Sequence, residues 1–221
     1  MERHYLDAEL QALKNRLLNM AALVEERTHQ ALQALVERRP ELAESVVAGD
    51  TDIDVLQIEI DDRCLKLLAL QHPMASDLRL ITAAMKINAD LERMGDQAVN
   101  IAENALKLIQ LPLLKPFIDL PRMAERAERM TRDSLDAFVN RDAALARSVL
   151  VSDDEVDDLK DQIFRELLTY MMADPSTIER ALAIILVSRS LERIADHATN
   201  IAEDVIFVIE AKDVRHHHEE M

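Results

Sequence analysis

The stretch Leu91-Glu92-Arg93-Met94-Gly95-Asp96-Gln97-Ala98-Val99-Asn100-Ile101-Ala102-Glu103 occurs twice. The second copy is Leu191-Glu192-Arg193-Ile194-Ala195-Asp196-His197-Ala198-Thr199-Asn200-Ile201-Ala202-Glu203. A match of that length in one register marks an internal duplication, so the chain must fold into two halves of similar build.

At about 100° per residue, one copy places Glu92, Glu103, Asp96 and Asn100 within roughly 80° of one helix face. Leu91, Met94, Ala98, Val99, Ile101 and Ala102 fill another face, the apolar stripe of a packed helix. Arg93 borders the polar stripe. Glu92 and Asp96 are like charges at i,i+4, an arrangement that destabilises a helix by a few tenths of a kcal/mol. It recurs as Glu192 and Asp196. Two accounts fit: oxygen ligands for a hard cation, as in carboxylate-lined helical bundles, or a solvated face balanced by Arg93 and Arg193.

The periodicity predicts a helix from about Leu6 to Glu37, with Pro40 ending it or opening the next. A second runs from about Glu41 to Leu70, with a kink at Gly49-Asp50, and His72-Pro73 ends it. A third runs from about Ser76 to Gln110, with Ser76 as its N-cap. Leu111-Pro112-Leu113-Leu114-Lys115-Pro116 cannot continue it. This divides the chain into 1–111 and 112–221. The second half repeats the plan with helices over about Pro121–Val139, Asp142–Met172 and Ser176–Lys212, broken at Asp174-Pro175. The expected fold is all-α: two three-helix bundles related by internal duplication. Leu42-Ala43-Glu44-Ser45-Val46 aligns with Leu145-Ala146-Arg147-Ser148-Val149. The spacing from Pro73 to Leu91 is two residues longer than from Pro175 to Leu191.

The same alignment pairs Asp50 and Asp54 with Asp153 and Asp157. Each half therefore carries a second i,i+4 acidic pair, on the helix before the central one. If those helices are antiparallel neighbours, Asp50 and Asp54 meet Glu92 and Asp96, and Asp153 and Asp157 meet Glu192 and Asp196. A rival account is that the Asp pairs only favour a helix N-terminus after a kink. No Cys or His cluster accompanies them, which argues against a thiolate zinc site. His197 has Gln97 as its counterpart, so it is not expected to be a ligand. His216-His217-His218 reads as a tail.

Composition narrows the classes. The 221 residues include two Gly, six Pro and 3% aromatics against 49% hydrophobic residues, which suits long helices better than sheets. The formal net charge of −16 disfavours nucleic acid and anionic lipid as partners, and favours cations and basic protein surfaces. Cys64 is the only cysteine, so no intrachain disulfide forms, and it reads as a core residue. The N-terminal residues lack a signal-peptide layout. No apolar run reaches membrane-span length. A cytoplasmic protein is expected. No Gly-rich phosphate loop, GxSxG or Cys/His pair suggests an enzyme.

Several stretches together resemble the PhoU family, the phosphate-signalling regulators of bacteria. They are Pro73-Met74-Ala75-Ser76-Asp77-Leu78-Arg79-Leu80, the two Leu-Glu-Arg-x-x-Asp copies, Leu168-Thr169-Tyr170-Met171-Met172 with Asp174-Pro175, and Asp213-Val214-Arg215-His216. They match in order and spacing across nearly the whole chain. One departure is Ala195, where the family usually has Gly; Ala is the better helix former, so it is expected to be harmless.

The resemblance implies two three-helix bundles with pseudo-two-fold symmetry, acting in the cytoplasm as a homodimer without catalysis. It implies a negative regulator of the phosphate-starvation response that limits phosphate uptake. Such a regulator links the ATPase subunit of the phosphate ABC transporter to a sensor histidine kinase. It also implies magnesium, manganese, zinc or iron at the acidic pairs. Carried over, the ligands are Asp50, Asp54, Glu92, Asp96, Asp153, Asp157, Glu192 and Asp196, with Asn100 and Asn200 as neighbours and Arg93 and Arg193 balancing charge. The alternatives are a carboxylate-bridged metalloenzyme, for which the Glu-x-x-His pairing is missing, and a structural helical dimer whose acidic stripes serve solubility.

Overall fold

The computed structural model describes residues 2–70 and 73–214. The His216-His217-His218 tail, and His72 of the His72-Pro73 break, lie outside the described residues. The described residues form helices joined by short irregular segments, with no strand among them: α1 (Glu2–Glu37), α2 (Pro40–Ala48), α3 (Asp50–Leu70), α4 (Ala75–Ile109), α5 (Asp119–Asn140), α6 (Ala143–Ala173) and α7 (Ile178–Glu210), with a single 3-10 turn at Pro175–Thr177 before α7.

The duplication is visible in how the helices end. Arg38 and Arg141 stand at equivalent positions, and both adopt left-handed backbone, with φ of 56° and 55°. In each half the next amide then reaches back to close the helix, Arg39 to the Ala34 carbonyl and Asp142 to the Ala137 carbonyl, both at 2.9 Å. These are the bonds that satisfy otherwise orphaned C-terminal carbonyls. Nearly three turns earlier, buried Thr28 and Thr131 donate to the carbonyls of Val24 and Ala127, each at 2.9 Å. Pro40 is the first residue of α2, where its missing N–H is harmless. Asp142 caps α6 by accepting from the Ala144 and Leu145 amides at 2.9 and 3.0 Å.

Two boundaries differ from expectation. The kink at Gly49-Asp50 is a full break between α2 and α3, whereas α6 runs unbroken through the same place. Arg27 accounts for this. Its guanidinium donates to the Ser45 carbonyl at 3.2 Å, pairs with Asp52 at 3.1 Å, and occupies the space a Gly49 side chain would need. Met130 replaces Arg27 in the second half and offers no such donor. At the start of α4, Ser76 is inside the first turn rather than its cap. Asp77 reaches back to the Met74 amide at 3.3 Å.

α4 and α7 pack on each other more extensively than any other pair of helices. α1, α2 and α3 cover α4, α5 and α6 cover α7, and α1 meets α5. The pairing is antiparallel, because Lys86 meets Asp204 and Asp90 meets Asn200. The buried residues of both halves make one continuous core, including Leu13, Leu17, Ile60, Ile87, Leu91, Met94, Ile163 and Leu191. None of the described helices is long and apolar enough to cross a membrane.

Packing limits the size of the residue at Gly95 of the motif. A Cβ there would lie 2.8 Å from Cδ1 and 3.3 Å from Cγ2 of Ile53 on α3, and a β-branched side chain in a helix cannot turn away. At the equivalent places the second half has Ala195 and Val156, so the extra methyl on α7 accompanies a smaller residue on α6. We predict coupling between these sites. Gly95→Ala gains about 1 kcal/mol of helix propensity and loses it to crowding. In an Ile53→Val background the same substitution is expected to be more favourable by about 1 kcal/mol, measured by urea unfolding; equal effects in both backgrounds would refute it.

Candidate functional site

The fold brings the acidic pairs together half by half. In the first half, Asp50 and Asp54 at the start of α3 face Glu92 and Asp96 of α4 closely enough to repel one another. Burial, and then the neighbouring carboxylates, hold Asp50, Glu92 and Asp96 above the ordinary carboxylate range. In the second half, Asp153 and Asp157 of α6 face Glu192 and Asp196 of α7. Burial, and then Asp196 and Asp157, push Asp153 up to about 6. Asp196 is raised by burial first and then by Glu192 and Asp157. The four i,i+4 pairs are therefore two clusters, one per half.

The clusters are not equivalent. Lys160 donates to Asp157 at 2.7 Å and to Glu192 at 3.1 Å, and both bonds hold its ammonium in the charged form. The aligned first-half residue is Gln57, so that cluster has no internal cation of this kind; Arg93 lowers the Glu92 carboxyl only in part. The donors are all carboxylate oxygens, a set suited to hard divalent ions. In the arrangement seen, however, no group of three or more His, Cys, Asp or Glu among the described residues is arranged to hold an ion. Cation binding here requires side chains to turn inward.

Of the expected supporting residues, Arg93 acts on Glu92, and the other three lie elsewhere. Asn200 donates to Asp90 at 3.4 Å, and Asn100 to Gln97 at 3.4 Å. Both belong to the α4–α7 seam rather than the acidic clusters. Arg193 lines a groove on that seam with Gln97 and Asn100. His197, not expected to be a ligand, is held at 2.9 Å by Asp90. Cys64 is fully buried, its thiol pushed up to about 12 by burial and then by Asp61, as a core residue. Lys160 belongs to the second cluster although neither acidic pair contains it. Its signal was the i,i+3 spacing from Asp157, a common pairing distance on a helix.

Comparisons with known proteins agree in family. The family model described as the PhoU domain matches residues 17–105 and again 120–205. The phosphate-specific transport system accessory protein PhoU homolog of Aquifex aeolicus is 45% identical over 210 residues, 95% of each chain. The homolog of the same description in Deinococcus radiodurans is 40% identical, over 92% of this chain and 95% of its own. The crystal structure of PhoU from Pseudomonas aeruginosa superposes with a TM-score of 0.89 at 40% identity, covering 93% of this chain and 99% of that one. The phosphate transport system regulatory protein PhoU of Streptococcus pneumoniae gives 0.87 at 32%, covering 95% and 99%.

The Asp153 carboxyl makes the second cluster pH-sensitive. The folded chain keeps its proton up to about 6, while the ordinary value is 3.8. Between these values the folded state binds more protons, so the contribution to stability is present below about pH 4 and lost as pH rises through about 6. In metal-free protein, Asp153→Asn removes the unfavourable charge. Discounted for partial exposure to about 1 kcal/mol, this raises Tm near neutral pH by roughly 2–4 °C. By scanning calorimetry the gap should close at about pH 4; an equal gap at both pH values would contradict it.

Proposed function

This chain belongs to the PhoU family, and we propose that it is the accessory regulator of a phosphate transport system. It acts as a non-catalytic, cytoplasmic adaptor and negative regulator of the phosphate-starvation response. It links the ATPase subunit of the phosphate ABC transporter to a sensor histidine kinase and limits uptake when phosphate is ample. The observation that carries this reading is the double PhoU-domain match, one in each half. End-to-end identity to relatives named for phosphate transport supports it. Exposed apolar side chains on helix surfaces, including Ile58, Leu70, Val151 and Met172, are what docking to partners or a second copy requires.

A divalent cation belongs to this proposal. Magnesium or manganese suits the oxygen-only donors best, with zinc and iron as the competing ions. Asp50, Asp54, Glu92 and Asp96 would hold it in the first half, and Asp153, Asp157, Glu192 and Asp196 in the second. When bound, the ion supplies charge neutralisation between paired helices. The protein's own part is to present carboxylates from two helices and, at Lys160, to compete for two of them. An adaptor signals by changing between two states, and a ligand shifts that balance only by differential affinity.

The regulatory reading is tested in a host lacking its own copy, grown in ample phosphate, with alkaline phosphatase as the readout. Phosphatase should be high without the gene and low with it. Glu92→Ala/Asp96→Ala/Glu192→Ala/Asp196→Ala, if folded by circular dichroism, should fail to repress. Unchanged phosphatase on deletion and restoration would refute the reading.

The cation sites are tested by calorimetric Mn²⁺ titration of protein without the tail histidines. Tighter binding is expected at the first half and should vanish with Glu92→Gln/Asp96→Asn. Lys160→Gln should strengthen the second site by about tenfold or more, the scale of one removed competing charge. Titration unaffected by either change would remove the ion from the mechanism.

A further inference from the structure

The duplication allows the α4–α7 seam to be compared with itself, and its two sides have opposite chemistry. On one side, Lys86 donates to Asp204 at 2.7 Å and lies 6.0 Å from the centre of the Phe207 ring. Asp90 there takes His197 at 2.9 Å and Asn200 at 3.4 Å. An ion pair and hydrogen bonds centred on a carboxylate fill that side. On the other side the aligned residues are Leu186 for Lys86, Asn104 for Asp204, Lys107 for Phe207, Ser190 for Asp90, Gln97 for His197 and Arg189 for Ala89. Both interior carboxylates have become neutral, and two cations have been added to the rim.

What results is a groove of about 400 Å³, lined by Gln97, Asn100, Glu103, Asn104, Lys107, Leu186, Arg189, Ser190 and Arg193. Three cations face one carboxylate, in a chain whose net charge is −16. Lys107, Arg189 and Arg193 make no ion pair among the described residues. Asn104, only 7% exposed, donates Nδ2 to the Asn100 carbonyl at 2.7 Å and leaves Oδ1 buried without a donor. The cause is visible across the seam: Asp204, at the equivalent position, has Lys86, and Leu186 stands where that cation would be. A buried acceptor left unmatched is costly.

We propose that this groove binds a small protonated oxyanion of the hydrogen phosphate class. Arg189 and Arg193 offer planar N–H forks suited to phosphate oxygens, and Lys107 a third positive charge. The Ser190 hydroxyl and the amides of Gln97 and Asn100 supply neutral donors. Hydrogen phosphate also carries a P–OH, the donor that Asn104 Oδ1 lacks; sulfate at neutral pH carries none. The site is separate from the acidic clusters and does not depend on the regulatory reading.

The test is equilibrium dialysis of the full chain against radiolabelled orthophosphate, with EDTA present so that no cation bridges phosphate to the carboxylates. One saturable phosphate per chain is expected. Arg189→Ala/Arg193→Ala, both exposed, should weaken it by about tenfold or more. Ser190→Asp should abolish it while the chain stays folded, because the seam already accommodates Asp90 at the equivalent place. Arg129→Ala, a surface control, should leave binding unchanged. Sulfate should compete about tenfold less well. Absence of saturable binding, indifference to the double variant, or equal competition by sulfate would overturn the proposal.

Discussion

The antiparallel contact between α4 and α7 is the constraint on which everything else in this molecule rests. Each of these helices is covered by its own half on one face and by the other half's central helix on another. Leu91, Met94 and Ile101 of α4 and Leu191 and Ile201 of α7 are fully buried. Side chains of this kind contribute roughly 1.5–3 kcal/mol each when removed from water. With so much of the core shared, the halves cannot slide or separate cheaply. The acidic clusters, the seam network and the groove are all positioned by this contact and by the α3 and α6 helices laid against it.

The duplicated scaffold works as its own comparison. Identical backbone devices recur, from the left-handed Arg38 and Arg141 to the buried Thr28 and Thr131. Side chains laid on them have diverged in charge. Lys160 balances carboxylates in one cluster where Gln57 stands in the other, and Asp90 and Asp204 face Ser190 and Asn104 across the pseudo-symmetry. Near-equal geometry therefore carries unequal electrostatics in the two halves.

Much of the fold was legible in the chain itself. Helix-period apolar residues, Pro40, Pro73, Pro112 and Pro175 located the helices, and local chemistry was responsible. Gly49 signalled a kink but not a break, because the break depends on Arg27, which arrives from another helix. Ser76 looked like a cap because the Met74 amide, which Asp77 actually binds, has no signature in sequence. The acidic pairs were readable from their spacing and their recurrence. Asn100, Asn200 and Arg193 were grouped with them because a helical wheel gives angles on one helix and says nothing of which neighbour covers each angle.

The sequence by itself determined the duplication, the all-helical class, the places where helices stop and the candidate carboxylates. All of these depend on residues close together in the chain or on the recurrence of a pattern. Only the tertiary structure decided that Lys160 sits between Asp157 and Glu192, that Asp90 holds His197, and that Asn104 Oδ1 lacks a donor where Asp204 has Lys86. Those outcomes turn on which side chains from distant helices meet across a few ångströms. A burial pattern of period 3.6 constrains which face of a helix turns inward, but not what stands opposite it.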